Sequence, residues 1–300
     1  MHVLALALPV LVAATNLNIV ISDDDGWATA QIRQQFDVLW KTGHNVVLSA
    51  PALNQSGKSS LSKTPTPLTE PCEFDTCPTG SPAIGANATN PRLNYVNGYP
   101  VDAARYGIQT LAPQFFNGAK PDFVVSGPNI GSNLGLVVLL SGTVGAACEA
   151  ARNGVPAAAF SGVSGSEVSY TTLESDPTAA STLAAQVYSN LTSSFVTALA
   201  STPGPLLPPG VIVNVNYAAI DSCPTSTSYK WVFSRLVWNI FETDFETCDS
   251  DHLPSETKVV NAGCYASVSV ISASNKLDVN STFQGQVFDR LQSLPLACLD

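Results

Sequence analysis

The chain has 300 residues, of which 45% are hydrophobic and only 12% charged, and its formal net charge is −10. That length supports a sizeable core, arranged as one α/β domain or two small ones. The 13 basic residues are nowhere concentrated, which argues against a nucleic-acid partner, because a phosphate backbone is held by clustered Lys and Arg.

The first feature in chain order is Val3 to Val12 (VLALALPVLV), an apolar run followed by Ala13 and Ala14. It has the length of a signal-peptide core with a small-residue cleavage site near Ala14, and it is too short to cross a bilayer. A buried first strand is the competing reading. Low charge and abundant Ser, Thr and Pro side with a signal peptide over residues 1–14 and a secreted chain from residue 15. No later segment reads as transmembrane, so no membrane partner is expected.

Next comes NIVISDDDGWA, Asn18 to Ala28, in which a strand-like apolar run meets three adjacent aspartates. A solvated turn with Asp25 capping a helix explains one of them. A hard divalent cation, Mg²⁺ or Mn²⁺, explains the other two, since it takes carboxylate and amide oxygens. The stretch alone leaves both readings open. Ile32, Phe36, Leu39 and Trp40 then recur at helical spacing as far as Thr42-Gly43, and Val46 to Leu48 predicts a second strand. Strand, helix and strand in this order form a βαβ unit and predict a parallel sheet.

Ala52 to Ser59 (ALNQSGKS) looks like a relaxed phosphate loop, but Pro65 and Pro67 forbid the long helix such a loop requires. Asn54 and Ser56 read better as oxygen donors facing the aspartates. Residues 57–100, rich in Ser, Pro, Thr and Gly, read as a long excursion in which Cys72 and Cys77 suit a local disulfide. The βα pattern resumes with a strand at Asp122 to Ser126. SGPNIGSNLG follows, placing Asn129 and Asn133 among Gly127, Gly131 and Gly135; such amides coordinate a metal or donate to a phosphate. SGTV, Ser141 to Val144, opens a helix reaching Arg152. Its amides and the Ser141 and Thr143 hydroxyls suit a phosphate cradle, although an ordinary Ser cap explains the same residues without a ligand. A strand at Val155 to Ser161, a long helix over 177–199 and a strand at Val211 to Tyr217 complete the pattern. The chain beyond reads as more β-rich, including Tyr265 to Ser272.

Of seven cysteines, Cys148 in GAACEAA reads as a buried free thiol. Cys223, Cys248, Cys264 and Cys298 predict two further bridges with the pairing open, because no CxxC pair or His cluster suggests zinc. Sequons at Asn54, Asn87, Asn190 and Asn280 fit a glycoprotein. Only His2, His44 and His252 are present, so a Ser-His-Asp hydrolase would rest on His252, and no G-x-S-x-G elbow precedes a helix. The three polar loops SDDDG, NQSG and SGPNIGSNLG leave the carboxyl ends of predicted strands, where ligands bind in open α/β sheets.

Taken in order, these motifs resemble the survival protein E (SurE) family of metal-dependent phosphatases and nucleotidases. The family pattern is a strand ending in S-N-D-D-G, then A-P-x-x-N-x-S-G, then P-D-x-V-x-S-G-x-N-x-G-x-N-x-G, then S-G-T-V. This chain has Ser22 to Gly26, Ala50 to Gly57, Pro121 to Gly135 and Ser141 to Val144 in those places. The resemblance implies a Rossmann-like, mostly parallel α/β sheet with flanking helices and a β-rich C-terminal extension, one domain over residues 15–300. It implies Asp24, Asp25, Ser56 and Asn129 as ligands of one Mg²⁺ or Mn²⁺, with Asp24 or Asp25 as general base. Asn54, Asn133, Ser141, Gly142 and Thr143 would hold the phosphate of a small phosphomonoester such as a nucleoside monophosphate, attacked by a metal-activated water. It also implies a homo-oligomer.

Two departures stand out. Asp23 replaces the family Asn and is expected to modulate the site. A-P-A-L-N stands where bacterial members carry A-P-D-R-N, so an Asp and an Arg near the site are lost and the family's substrate preference does not carry over with the motif. The Asn54 sequon lies in the site loop and is expected to be unmodified. A non-catalytic nucleotide- or anion-binding module on the same fold and a secreted serine esterase using His252 are the alternatives.

Overall fold

The structure is a computed structural model and describes residues 16–299. The predicted βαβ unit is present as β1 (Asn18–Ser22), α1 (Ala30–Lys41) and β2 (Asn45–Pro51), with β1 and β2 parallel and Ile19 opposite Val46. Ile19 and Ile21 pack on one side of the sheet with Ile32, Phe36 and Leu39 of α1, while Val20 packs on the other side. Because both faces of β1 are covered, its sequence is a continuous apolar run rather than an alternating one. Trp40 departs from the predicted helix face. It is half exposed, stacks on Phe36, and carries the Arg92 guanidinium 5.2 Å from its ring.

The excursion returns to the sheet. It contributes β3 (Ile84–Ala86) and β4 (Leu93–Val96), and β4 lies parallel to β2. α2 (Pro100–Tyr106), a π-helical turn and α3 (Ala112–Phe115) lead to β5 (Phe123–Ile130). β5 is longer than the predicted Asp122–Ser126, because pairing resumes past an irregularity and sets Asn129 opposite Ser161. Then come α4 (Gly142–Arg152), β6 (Ala157–Gly162), α5 (Thr172–Ser175), α6 (Ala180–Ala200) and β7 (Val211–Tyr217). Finally β8 (Lys230–Ser234), α7 (Glu256–Asn261), β9 (Tyr265–Ser272) and α8 (Ser281–Arg290) extend the structure.

The nine strands form one sheet in the order β3-β4-β2-β1-β5-β6-β7-β9-β8. All neighbours are parallel except β3 with β4 and β7 with β9. The architecture is therefore the α/β, Rossmann-like one expected. From β1 the chain builds outward first through β2 and later through β5, so the order reverses between β1 and β5. That reversal opens a crevice beyond the strands' carboxyl ends. α1 and α6 cover one face, and α4 with the π-helical turn covers the other.

Disulfides join Cys72 to Cys77, Cys223 to Cys264 and Cys248 to Cys298, and Cys148 is a buried free thiol. The apolar run read as a signal peptide, residues 1–14, lies outside the described residues. Among the described residues no helix is long and apolar enough to cross a membrane. The Cys223–Cys264 bridge closes a sequence separation of 41 residues and ties the strand-to-strand connection after β7 to the start of β9. Replacing both cysteines by alanine is expected to lower unfolding free energy by about 2–4 kcal/mol in non-reducing urea titrations.

Candidate active site

β1 ends at Ser22, directly opposite Ser126 of β5, and the next three residues are the aspartates. They are buried: Asp23 is 0%, Asp24 2% and Asp25 4% exposed. One carboxylate oxygen from each lies within 4.8 Å of the others. No Lys or Arg among the described residues forms an ion pair with them.

Each carboxylate meets a different part of the fold. Asp23 Oδ1 accepts the Asp24 N–H at 2.8 Å, and its buried Oδ2 has no hydrogen-bond partner. Asp24 Oδ1 accepts the Thr143 hydroxyl at 2.7 Å, from the first turn of α4. Asp25 Oδ2 accepts the Ile130 N–H at 2.6 Å, from the end of β5. Burial pushes all three carboxyl groups above the usual carboxylate range. The neighbouring aspartates push Asp23 and Asp25 further, while the Thr143 bonds pull Asp24 back.

Thr143 is the node. Its carbonyl accepts the Ser126 hydroxyl at 2.8 Å, and its Oγ1 lies 3.1 Å from Asn129 Oδ1 as well as 2.7 Å from Asp24. A hydroxyl has a single proton, and Asp24 is the nearer of the two acceptors. Asn129 Nδ2 donates to the Gly131 carbonyl at 2.6 Å, which fixes the amide with its oxygen toward the acids. Asp24 Oδ1 and Asn129 Oδ1 thus have one hydroxyl proton between them. Gly142 is required for this approach, because a Cβ there would fall 2.8 Å from Asp24 Oδ2 and Cβ.

The predicted phosphate residues divide. Ser141 Oγ accepts the Val144 N–H at 3.1 Å and so caps α4, leaving its proton for another acceptor. Asn133 is buried and heavily bonded. Its Nδ2 donates to Ser161 at 2.8 Å and more weakly to Thr143 at 3.4 Å, and its N–H donates to Asn216 Oδ1 at 2.8 Å. The NQSG loop is tied to the aspartates through its backbone, Gln55 N–H donating to the Asp24 carbonyl at 2.7 Å. Ser56 and Asn54 are exposed; Asn54 Oδ1 accepts the Ser56 N–H, and its Nδ2 donates to Glu167. ALNQSGKS opens no helix, so the phosphate-loop likeness ends at the sequence.

Sequence reasoning missed two acids. Glu73, between the bridged Cys72 and Cys77, packs against Gly26 and leaves no space for a side chain there. Burial, then Glu167 and the Asp25 charge, push its carboxyl up to about 9. Glu256 on α7 is fully buried, and its oxygens accept the Gly135 N–H and Asn214 Nδ2, both at 2.8 Å. Asn214 and Asn216 of β7 in turn donate to the Asn133 carbonyl. Only the apolar face of α7 and the VNVN pattern of β7 signalled this support. His252 lines a cavity of about 460 Å³ with Trp231, Phe233 and Phe288, and none of its lining residues belongs to the motif loops. The neighbouring Ser250 hydroxyl is bonded to the His252 backbone rather than to its imidazole.

A carboxylate cluster at the switch point of a doubly wound sheet, abutting a helix start, suits a cation beside an anion. The donors present suit a hard divalent ion: carboxylate oxygens, an unprotonated amide oxygen and the orphaned Asp23 Oδ2. The family model described as Survival protein SurE matches residues 19–242, and the chain belongs to that family. The chain is 36% identical to a protein named acid phosphatase from Yarrowia lipolytica, covering 85% of this chain and 78% of that one. It is 31% identical to a protein named 5'-nucleotidase SurE from Lawsonia intracellularis, covering 68% and 67% respectively. The crystal structure of the SurE protein from Aquifex aeolicus superposes with a TM-score of 0.57 at 20% identity, covering 85% of this chain and 93% of that one, and shares the fold.

Gly142→Ala is expected to destabilise the protein by about 1–3 kcal/mol, an overpacking cost read by urea unfolding. Burial also sets a pH dependence through Glu256, whose carboxyl is pushed from 4.5 up to about 8. A raised folded-state value means that the stabilising contribution is complete below pH 4.5 and is lost as pH rises through 8. Melting temperatures of the metal-free protein are expected to fall across that window, and less steeply in Glu256→Gln.

Proposed function

We propose that the chain is a secreted phosphomonoesterase that acts on small phosphomonoesters, nucleoside monophosphates among them, and uses one Mg²⁺ or Mn²⁺. Membership of the family and the names of its relatives support the reaction class. The observation that carries metal dependence is the single Thr143 proton. Asp24 Oδ1 and Asn129 Oδ1 have that one hydroxyl between them, and no basic side chain among the described residues pairs with the three aspartates.

In this reading Asp24, Asp25, Asn129 and Ser56 hold the cation, with Ser56 brought in by its loop's bond to the Asp24 carbonyl. The bound cation supplies an acidified water and neutralises charge on the phosphoryl group. Asp24 or Asp25 takes the proton of the attacking water. The Gly142 and Thr143 amides at the start of α4 and the free Ser141 proton receive the phosphate oxygens. Asn133 joins them by giving up its long bond to Thr143, and Asn54 borders the entrance. Asp23 tunes the centre. The disulfides accord with export of a single domain over residues 15–300 after removal of residues 1–14. The reading includes a homo-oligomer, an unmodified Asn54, and no nucleic-acid or membrane partner.

Purified protein is expected to release phosphate from nucleoside monophosphates and from p-nitrophenyl phosphate. EDTA should abolish this and Mg²⁺ or Mn²⁺ restore it. Asp24→Asn should lower kcat roughly 10³-fold, since several kcal/mol of charge stabilisation are lost. Turnover unaffected by chelation would overturn the metal mechanism, and nucleotide-induced stabilisation without turnover would mark a binding module instead.

A further inference from the structure

We propose that Asp23 is a third anionic ligand of the cation, an addition by this chain to the pair Asp24 and Asp25; the inference rests on the metal reading above. Asp23 Oδ1 is committed, since it accepts the Asp24 N–H at 2.8 Å. The atom bonded to the other side of that carboxyl carbon is buried and has no hydrogen-bond partner. It belongs to a residue that is 0% exposed, within a cluster in which one carboxylate oxygen from each of the three aspartates lies inside 4.8 Å of the others. Oxygens on opposite sides of a hard cation, each about 2.0–2.6 Å from it, stand about 4–5 Å apart. The cluster therefore has the span of a single coordination sphere.

The difference between Asp and Asn at this position follows from the same geometry. The Asp24 N–H requires an acceptor, so an asparagine would present its oxygen there and its NH₂ group where Asp23 has Oδ2. An NH₂ group is a donor and cannot ligate a cation. The S-N-D-D-G pattern thus gives a site with two carboxylates and an amide proton donor. S-D-D-D-G gives a third anionic oxygen in place of that donor. No basic residue among the described ones pairs with this oxygen.

The test compares wild-type protein with Asp23→Asn, which keeps the Asp24 N–H bond and replaces only the second oxygen. Mn²⁺ binding is measured by isothermal titration calorimetry and by electron paramagnetic resonance of free Mn²⁺, and melting temperature is measured in EDTA and in Mn²⁺. The Mn²⁺ dissociation constant should rise about 10- to 100-fold in the variant. Its metal-free form should melt higher than metal-free wild type, because one of three buried carboxylates is gone. The Mn²⁺-induced rise in melting temperature should shrink. Asp23→Ser retains an acceptor oxygen and gives the same comparison should the amide variant fail to fold. Wild-type binding with an unchanged dissociation constant in the variants overturns the role of Asp23 and leaves the metal site standing. Wild-type protein that binds no Mn²⁺ overturns both, and that arm alone distinguishes the two failures.

Discussion

Three carboxylates leave β1 into a space almost closed to water, and a buried carboxylate is costly unless it is bonded or neutralised. Much of the surrounding architecture supplies those bonds. β5 continues past its predicted end so that the Ile130 N–H reaches Asp25. α4 begins close enough to Asp24 for Thr143 to donate to it. The Asp24 N–H turns back on Asp23. What remains is an excess of acceptors over donors, which suits a cation better than a solvated turn.

That convergence depends on rigidity supplied from further out. Thr143 is held from both sides, its carbonyl by Ser126 and its hydroxyl by Asp24, so α4 cannot slide along β5 without breaking both bonds. The absence of a side chain at Gly142 lets the helix start approach the carboxylate directly. The glycine-rich segment after β5 has few side chains with which to fix itself. β7 and α7 hold it instead, Asn214 and Asn216 on the Asn133 carbonyl and Glu256 on the Gly135 amide. The C-terminal third therefore sets the position of residues that carry the N-terminal motifs, and its own folding is reinforced by two disulfides.

This division explains what was readable from the chain. β1, α1 and β2 were legible because their periodicity is local and both faces of β1 are buried. The continuation of β5 to Ile130 was not, since Gly127 and Pro128 read as loop residues and only pairing with β6 extends the strand. β3 and β4 were hidden in the Ser- and Pro-rich excursion for the same reason: β4 exists through its register with β2. Asp24, Asp25 and Asn129 stood out because three motifs leave adjacent strand ends. Glu73 and Glu256 did not, because each owes its place to contacts far away in sequence. Trp40 fits the helical spacing yet lies outward, stacked between Phe36 and Arg92, where periodicity alone cannot tell a buried ring from one half covered by a cation.

The site's electrostatics also bear on what it can bind. A phosphate dianion approaching it meets carboxylates, with Glu167 exposed nearby and bonded to Asn54. In the proposed reading its attraction comes from the cation and from the start of α4, which is worth about half a positive charge. With two carboxylates a divalent ion leaves the loaded centre neutral; with Asp23 as a third ligand it leaves the centre one charge negative. The extra oxygen thus favours the metal and disfavours the phosphate, so the two affinities are opposed through one residue. Glu73, whose carboxyl is pushed up to about 9 by burial, then by Glu167 and the Asp25 charge, lies beside the same cluster. Asp23 and Glu73 therefore belong to one charge balance, although only one of them is visible in a motif.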